Sequence, residues 1–479
     1  MKPPKMKPPK MKPPKMKPPK MKAAKMKAAK MKAPSMKAPS MKAPDDAAGV
    51  IADLVRTQAG VDLPVRLRAW DGSEAGPAGA PVLVVRSPQA LRRIVWRPGE
   101  LGLARAYISG DLDVDGDLTD GLRRVWRAIR HKTPAGDVWP APAPSAGPAT
   151  TRGPATTRGL ATARALAAGA PAALAAVRAV ARLKVPIWPP PPPPLCELRV
   201  RGRLHSRARD QAVIAGHYDL PAAFYQLILD PSMAYSGAWW TGADTLAGAQ
   251  RDKLELICGK LGLQPGSRLL DMGCGWGSLT VHAARDHRAR VTGVTLSAEQ
   301  GGYVRQRVRG LGLGDRAEVR IQDYRDPLDG PYDAIASVEM GEHVGAAQYP
   351  RFCSALYRLL RPGGRLLIQQ MSRGGRAPGG GAFIESYIAP DMDMRPVGET
   401  VRLIETAGFE VTGVQAMREH YVRTIRAWLD NFEANLPAIT EILTPEQVRV
   451  WRLYLAGSAL AFEEGRMGVD QILAVRPDR

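Results

Sequence analysis

Acidic residues are missing from the first 44 positions, which read MKPPK four times, MKAAK and MKAPS twice each and then MKAP, with fifteen Lys. Without those fifteen Lys the formal charge of +22 drops to +7, so the basic excess belongs to this segment and the rest of the chain is only mildly basic. The segment also lacks aromatic and branched apolar residues, and Pro in most repeats blocks regular helix and sheet. It cannot bury enough surface to offset its ordering entropy, so residues 1–44 read as a disordered tail. No apolar region of seven or more residues follows the Lys, so no secretory signal is expected. Apolar runs of membrane-spanning length are absent too: the Ala-rich stretch 160–185 is interrupted by Arg164, Arg178 and Arg182. Cysteine is scarce. Cys196, Cys258, Cys274 and Cys353 show no CxxC spacing, so neither a disulfide framework nor a metal site is expected, and free thiols fit a reducing cytoplasm.

What is present is enough apolar sequence, 45% of 479 residues, for two folded domains. Residues 47–130 are ordinary globular sequence in which "APVLVVRS" predicts a strand and "PQALRRIVW" a helix, as in a small α+β domain. Residues 134–195 are dominated by Ala and Pro and end in "WPPPPPPL", which predicts a linker with a semi-rigid polyproline spacer. From about residue 265, short apolar runs alternate with helical patterns: "SRLLDMG", "RVTGVTLS", "AEVRIQDY", "YDAIASVEM" and "GRLLIQQM" read as five strands. The fold class expected is α/β, a doubly wound Rossmann-like sheet with crossover helices.

The first of these strands runs into Asp271-Met-Gly273-Cys-Gly275-Trp-Gly277, where glycines let the backbone turn tightly and a ligand come close. Spacing alone leaves a dinucleotide, S-adenosylmethionine or no ligand open. The third glycine comes one residue early for the dinucleotide fingerprint, and the second strand ends in "VTLS" without an acid for a ribose hydroxyl, so NAD is disfavoured.

Six separated stretches narrow the choice: "HYDLPAAFYQLILDPSMAYSGAWW", "LLDMGCGWGSLTVHAA", "VTGVTLSAEQ", "QDYRD", "SVEMGEHVG" and "REHYVRTIRAWLDNF". In order and spacing they resemble the cyclopropane-fatty-acyl-phospholipid synthase family over residues 205–479. "LGLARAYISGDLDVDGDL" resembles the N-terminal domain of its longer members. The resemblance implies a methyltransferase domain with added helices for an acyl chain, acting from S-adenosylmethionine on the cis double bond of a phospholipid-bound chain. It implies that Gly273, Gly275 and Gly277 lie along the cofactor, supported by Asp271, with Tyr235 and Ser236 over its carboxylate end. Thr295 and Gln300 would reach the ribose, and Asp323 and Tyr324 would flank the adenine.

The chemistry needs close alignment of a weakly nucleophilic alkene with an electrophilic methyl group, exclusion of water, and a base for the departing proton. Glu342, beyond the strand "YDAIASVEM" at the carboxyl edge of the sheet, is the candidate carboxylate. The family resemblance implies a bicarbonate ion as base, held by a Cys backbone, a Glu, a His and a Tyr. Glu342 and Tyr421 match two of these, whereas Gly237 stands at the Cys and Gln369 at the His. Tyr218 would approach the reacting region. The product implied is a cyclopropane, with a methylene- or methyl-branched chain as the alternative. The stretch 379–394 would present Phe383, Ile384, Tyr387 and Ile388 to the acyl chain, and "VRVWRLYLAGSALAFEEG" would supply a helix that is core or tunnel wall.

Two other classes compete. An RNA methyltransferase is suggested by the charge, but the Lys tail has no interleaved aromatics for base stacking. A catalytically inactive lipid-binding protein is suggested by Gly237 and Gln369. The expected location is cytoplasmic, peripheral to the inner face of the membrane, where anionic headgroups would attract the tail at roughly 1 kcal/mol per Lys.

Overall fold

Alternation and capping account for most of the elements in the computed structural model of the protein, which describes residues 46–130, 178–218, 220–374 and 380–478. The Lys-rich tail and most of the Ala/Pro stretch lie outside the described residues. The first elements form a small α+β domain. Asp46 caps the helix Ala47–Ala59 by accepting from Gly49 N, and Gly60, at φ 63°, ends it. Strands β1 (Arg66–Arg68), β2 (Glu74–Ala75), β3 (Val82–Val85) and β4 (Leu112–Asp115) make a sheet of order β2-β1-β3-β4. The helices Gln89–Trp96, Glu100–Ile108 and Leu118–Arg130 complete the domain.

The linker prediction needs a correction at its end. Ala179, Val180, Leu183 and Val185 are buried in the same core as Leu67, Val85 and Leu91, so residues 178–185 belong to the N-terminal domain. The prolines that follow lie along the helix Gln89–Trp96, where Arg93 Nη1 donates to Pro192 O at 2.6 Å and Trp96 Nε1 to Ile187 O at 2.9 Å.

The larger sheet contains the five expected strands, β5 (Arg268–Met272), β6 (Arg290–Thr295), β7 (Ala317–Ile321), β8 (Tyr332–Val338) and β9 (Leu360–Ser372), and two more, β10 (Glu410–Ala416) and β11 (Gly468–Val475). Its order is β10-β11-β9-β8-β5-β6-β7, with β11 antiparallel to both neighbours and the other pairings parallel. Leu269, Leu270, Ile335, Leu366, Leu367 and Ile368 are fully buried because helices cover both faces, and each contributes ~1.5–3 kcal/mol.

The helix Pro445–Glu463 joins the two parts. Thr444 and Gln447 form a capping box at its start, and Arg449 reaches back to Tyr107 O at 2.5 Å, Leu112 O at 2.7 Å and the Asp113 carboxylate at 3.1 Å. The N-terminal domain is thereby held against the flank of the larger sheet that carries β11 and the helix Arg418–Ala434.

Candidate active site

At the carboxyl ends of β5, β6 and β8 lies a cavity of about 140 Å³. Of the residues expected at the cofactor, Tyr235, Ser236, Asp271, Gly273, Gly275, Thr295, Gln300 and Tyr324 line it. Gly275, at φ 52°, has no atom within 4 Å of where a side chain would begin, so its backbone opens directly onto the cavity. Thr295 Oγ1 donates to Gln300 Oε1 at 2.9 Å, which fixes both side chains at the second strand.

Two expected contacts are corrected. Gly277 is not a lining residue: it starts the helix Ser278–Asp286, and a Cβ there would lie 2.5 Å from Val304 Cγ1, so its role is close helix packing. Asp323 also faces away, accepting from Arg325 N at 2.9 Å and Arg325 Nε at 2.6 Å; the preceding Gln322 lines the cavity instead. Lys253 was not anticipated. It is fully buried in the cavity wall and donates to Ser236 Oγ at 2.8 Å. Burial pulls its ammonium down, opposed by Glu339, Asp230 and Asp271, while burial pushes Asp271 up to about 6 against its bond from Thr280. The signal available was a Lys amid the apolar face of the helix Leu246–Leu261.

The groups expected around Glu342 gather instead around a second carboxylate, Glu339. Residues 235–240 are pinned to the helix Arg418–Ala434, with Ala238 N and Trp240 Nε1 both donating to Thr424 Oγ1 at 3.0 Å. This presents Gly237 N to Glu339 Oε1 at 2.8 Å. Gln369 Nε2 donates to the same oxygen at 2.9 Å, and Tyr421 OH to Glu339 Oε2 at 2.7 Å. Gln369 is oriented from behind, since Gln471 Nε2 donates to its Oε1 at 2.9 Å and Lys260 Nζ donates to Gln471 Oε1 at 2.6 Å. Glu339 is the first residue after β8 and sits at φ 51°, a left-handed conformation that costs a non-glycine residue about 1–3 kcal/mol. Its own amide, donating to Gln369 O at 2.6 Å, holds the turn.

Glu342 stands apart from this cluster. It accepts from Met371 N at 2.7 Å, and its other carboxylate oxygen has no hydrogen-bond partner among the described residues. Gly237, Gln369 and Tyr421 are the groups that the resemblance would lend to bicarbonate, and all three are spent on Glu339. The residues present therefore do not fit a bicarbonate ion, because a side-chain carboxylate already fills its place. The same packing explains Gly237: a Cβ would lie 3.3 Å from Tyr421 Cγ and 3.6 Å from Glu339 Oε1, leaving no room for a thiol. Tyr218 lies outside the residues whose side chains are described.

Burial raises both carboxyls. In Glu339 the donors Tyr421, Gly237 and Gln369 oppose the rise; in Glu342 burial and then the Glu339 charge carry the value up to about 8. Glu342 thus keeps its proton near neutrality while Glu339 has three donors for its ionised form. A carboxyl raised from 4.5 to about 8 leaves the folded state holding more protons than the unfolded one across that window. Stability therefore falls as pH rises through it, by up to about 1.4 kcal/mol per unit. Glu342→Gln keeps the neutral shape and is expected to remove this loss. In thermal unfolding its melting temperature should exceed that of the parent near pH 8, with a much smaller difference near pH 5.

A second cavity, of about 460 Å³, is bounded mainly by apolar side chains. Phe383, Ile384 and Ile388 line it as expected, whereas Tyr387 donates to Glu197 Oε2 at 2.8 Å and does not. The helix Pro445–Glu463 contributes Leu453, Tyr454, Gly457 and Phe462 to its wall. Val55, Leu63, Val65, Leu122 and Val125 of the N-terminal domain close the far part. Tyr235, Glu339 and His343 line both cavities.

Residues 205–472 match the family model described as mycolic acid cyclopropane synthetase. A probable fatty acid methyltransferase of Pseudomonas putida is 34% identical over 437 residues, 89% of this chain and 96% of that protein. A tuberculostearic acid methyltransferase of Mycobacterium tuberculosis is 30% identical over 447 residues, 90% and 92% of the two chains. A cyclopropane-fatty-acyl-phospholipid synthase of Escherichia coli is 35% identical over 283 residues, 58% of this chain and 72% of that one. Among solved structures, a mycolic acid cyclopropane synthase complexed with SAH and CTAB superposes with a TM-score of 0.52 at 32% identity, covering 55% of this chain and 98% of that one. With a backbone-lined cavity at the glycine loop and these relatives, the chain belongs to the cyclopropane synthase family and is an S-adenosylmethionine-dependent methyltransferase.

Proposed function

We propose that the protein transfers the methyl carbon of S-adenosylmethionine to the cis double bond of an unsaturated fatty acyl chain carried by a phospholipid, with Glu339 as the proton acceptor. The observation that carries this reading is the meeting of two cavities at Tyr235 and Glu339, one beside the glycine loop and one apolar.

S-adenosylmethionine supplies an electrophilic methyl group. As the alkene pair forms the new carbon–carbon bond, positive charge develops on the neighbouring alkene carbon. The apolar walls exclude water that would trap it, and Tyr235 and Tyr421 line the cavity beside Glu339. Glu339 then takes a proton from the transferred carbon. Its raised basicity suits that step, and Tyr421 and Gln369 hold its oxygens in place. If the released C–H pair closes onto the cation, a cyclopropane forms; if a hydride shifts first, the same pair makes a methylene branch.

We favour the methylene branch. The relatives matched over nine-tenths of their length are fatty acid methyltransferases, while the cyclopropane-fatty-acyl-phospholipid synthase is matched over 72%. The family description supports the cyclopropane as the second reading. Membrane attachment would be peripheral: among the described residues no helix is long and apolar enough to cross a bilayer, and the Lys-rich residues 1–44 would supply attraction to anionic headgroups.

The test is incubation of the protein with oleoyl phospholipid and methyl-labelled cofactor. Mass spectrometry should show a gain of one CH₂, and proton NMR should show vinylidene signals. Upfield ring-methylene signals would instead select the cyclopropane. Label entering RNA, or no label entering lipid, would overturn the proposal.

A further inference from the structure

Outside the catalytic cavity, helix Leu246–Leu261 and helix Ser278–Asp286 bring a thiol and two imidazoles together. The ligand atoms of Cys258, His282 and His287 lie within 4.8 Å of one another. Cys258 is a free cysteine with no exposed surface. His282 is only 5% exposed, yet its Nε2 has no hydrogen-bond partner among the described residues. The reason is visible on the other side of its ring, where Nδ1 meets Asp286 Oδ2 at 2.9 Å. With its proton on the nitrogen beside the Asp286 carboxylate, His282 has the Nε2 lone pair free for a ligand, the arrangement by which carboxylates orient metal-binding histidines. Asp286 is itself steadied by Arg285, whose Nε and Nη2 donate to its two oxygens at 2.8 and 2.7 Å.

A fourth donor is at hand. Glu255 lies three residues before Cys258 on the same helix face. Its Oε2 is 2.8 Å from His287 Nε2 and 3.7 Å from His282 Nε2, too far for a hydrogen bond to the latter. Glu255 and His287 are the more exposed members, so the cluster is reachable from solvent.

We propose that Cys258, His282 and His287, with Glu255 as fourth donor, form a binding site for one zinc-type divalent cation. A thiolate, two imidazoles and a carboxylate are the donors that zinc takes in tetrahedral sites, at about 2.0–2.3 Å each. Binding releases the thiol proton of Cys258 and changes no oxidation state. The ion would tie the helix that carries Lys253 to the helix that opens from the glycine loop, without touching either cavity.

The experiment uses the full chain, stripped of metal by a chelator and titrated with Co²⁺. One equivalent should bind with a thiolate-to-cobalt charge-transfer band and visible bands of tetrahedral intensity, and Zn²⁺ should displace them. Zinc should also raise the melting temperature of the chain with no cofactor added, because only the folded state holds the four donors in place. His282→Ala should weaken uptake by at least about 100-fold. Cys258→Ser should abolish the charge-transfer band; His287→Ala, at a more exposed position, is the companion variant if the serine protein does not fold, and it too should weaken uptake. No saturable uptake by the parent chain, or uptake unchanged in His282→Ala or His287→Ala, would overturn the site.

Discussion

Replacing Glu339 by Gln should lower turnover by roughly 10²–10⁴-fold, the usual worth of a positioned general base, while leaving S-adenosylmethionine binding within a few-fold of the parent. The substitution keeps the shape and an acceptor oxygen for Gly237 N, turns the Tyr421 OH contact into one in which the amide donates, and removes the charge that receives the proton. Glu342→Gln is the informative partner. Because Glu342 already holds its proton near neutrality, an amide imitates its resting state, and its turnover should fall far less. Parallel measurements of single-turnover methyl transfer and calorimetric cofactor binding separate the two carboxyls. Equal losses in both variants, or normal turnover in Glu339→Gln, would return the base to Glu342 or to a bound ion.

Gly457→Trp should abolish methylation of long acyl chains, with a loss of at least about 100-fold, since even an ångström of misplacement at a reacting centre costs that much. Gly457 lines the apolar cavity on helix Pro445–Glu463, and a Cβ added there meets nothing within 4 Å. The indole would therefore fill cavity and not displace core. Removing a mid-helix glycine also favours the helix by up to about 1 kcal/mol, so the variant should fold. Cofactor binding should be unchanged, because Gly457 does not line the cavity at the glycine loop. Full activity on oleoyl phospholipid in this variant would mean that the chain reaches Glu339 by another route.

Five strands of the sheet could be read from apolar runs because a parallel strand covered on both faces has little else in it. The last two could not. β10 alternates between half-buried and exposed positions at the sheet edge, and β11 carries Asp470 and Gln471 in its middle. Those polar residues break the apolar pattern, yet they are buried against partners about a hundred positions away: Ser372 Oγ donates to Asp470 Oδ2 at 2.5 Å, and Gln471 serves Gln369. The linker's end failed for a related reason, since Ala179, Val180 and Leu183 look like low-complexity sequence until the N-terminal core takes them in.

Local order in the chain was sufficient for the cofactor loop, the fold class, the family and the grouping of Gly237, Gln369 and Tyr421, because these rest on short motifs at characteristic spacing. It was not sufficient to show which of two glutamates three residues apart those groups contact. That choice turns on a left-handed residue at the end of β8, held by a carbonyl on β9 and by donors from residues 237, 369 and 421. The apolar cavity is likewise invisible in any one segment, for its walls come from both domains. So is the thiol–imidazole cluster, whose members come from two helices and the residue that follows the second, without a linear metal spacing. Motif spacing records what neighbouring residues do together, whereas the proposed proton acceptor, chain path and cation site depend on which distant side chains packing brings within a few ångströms.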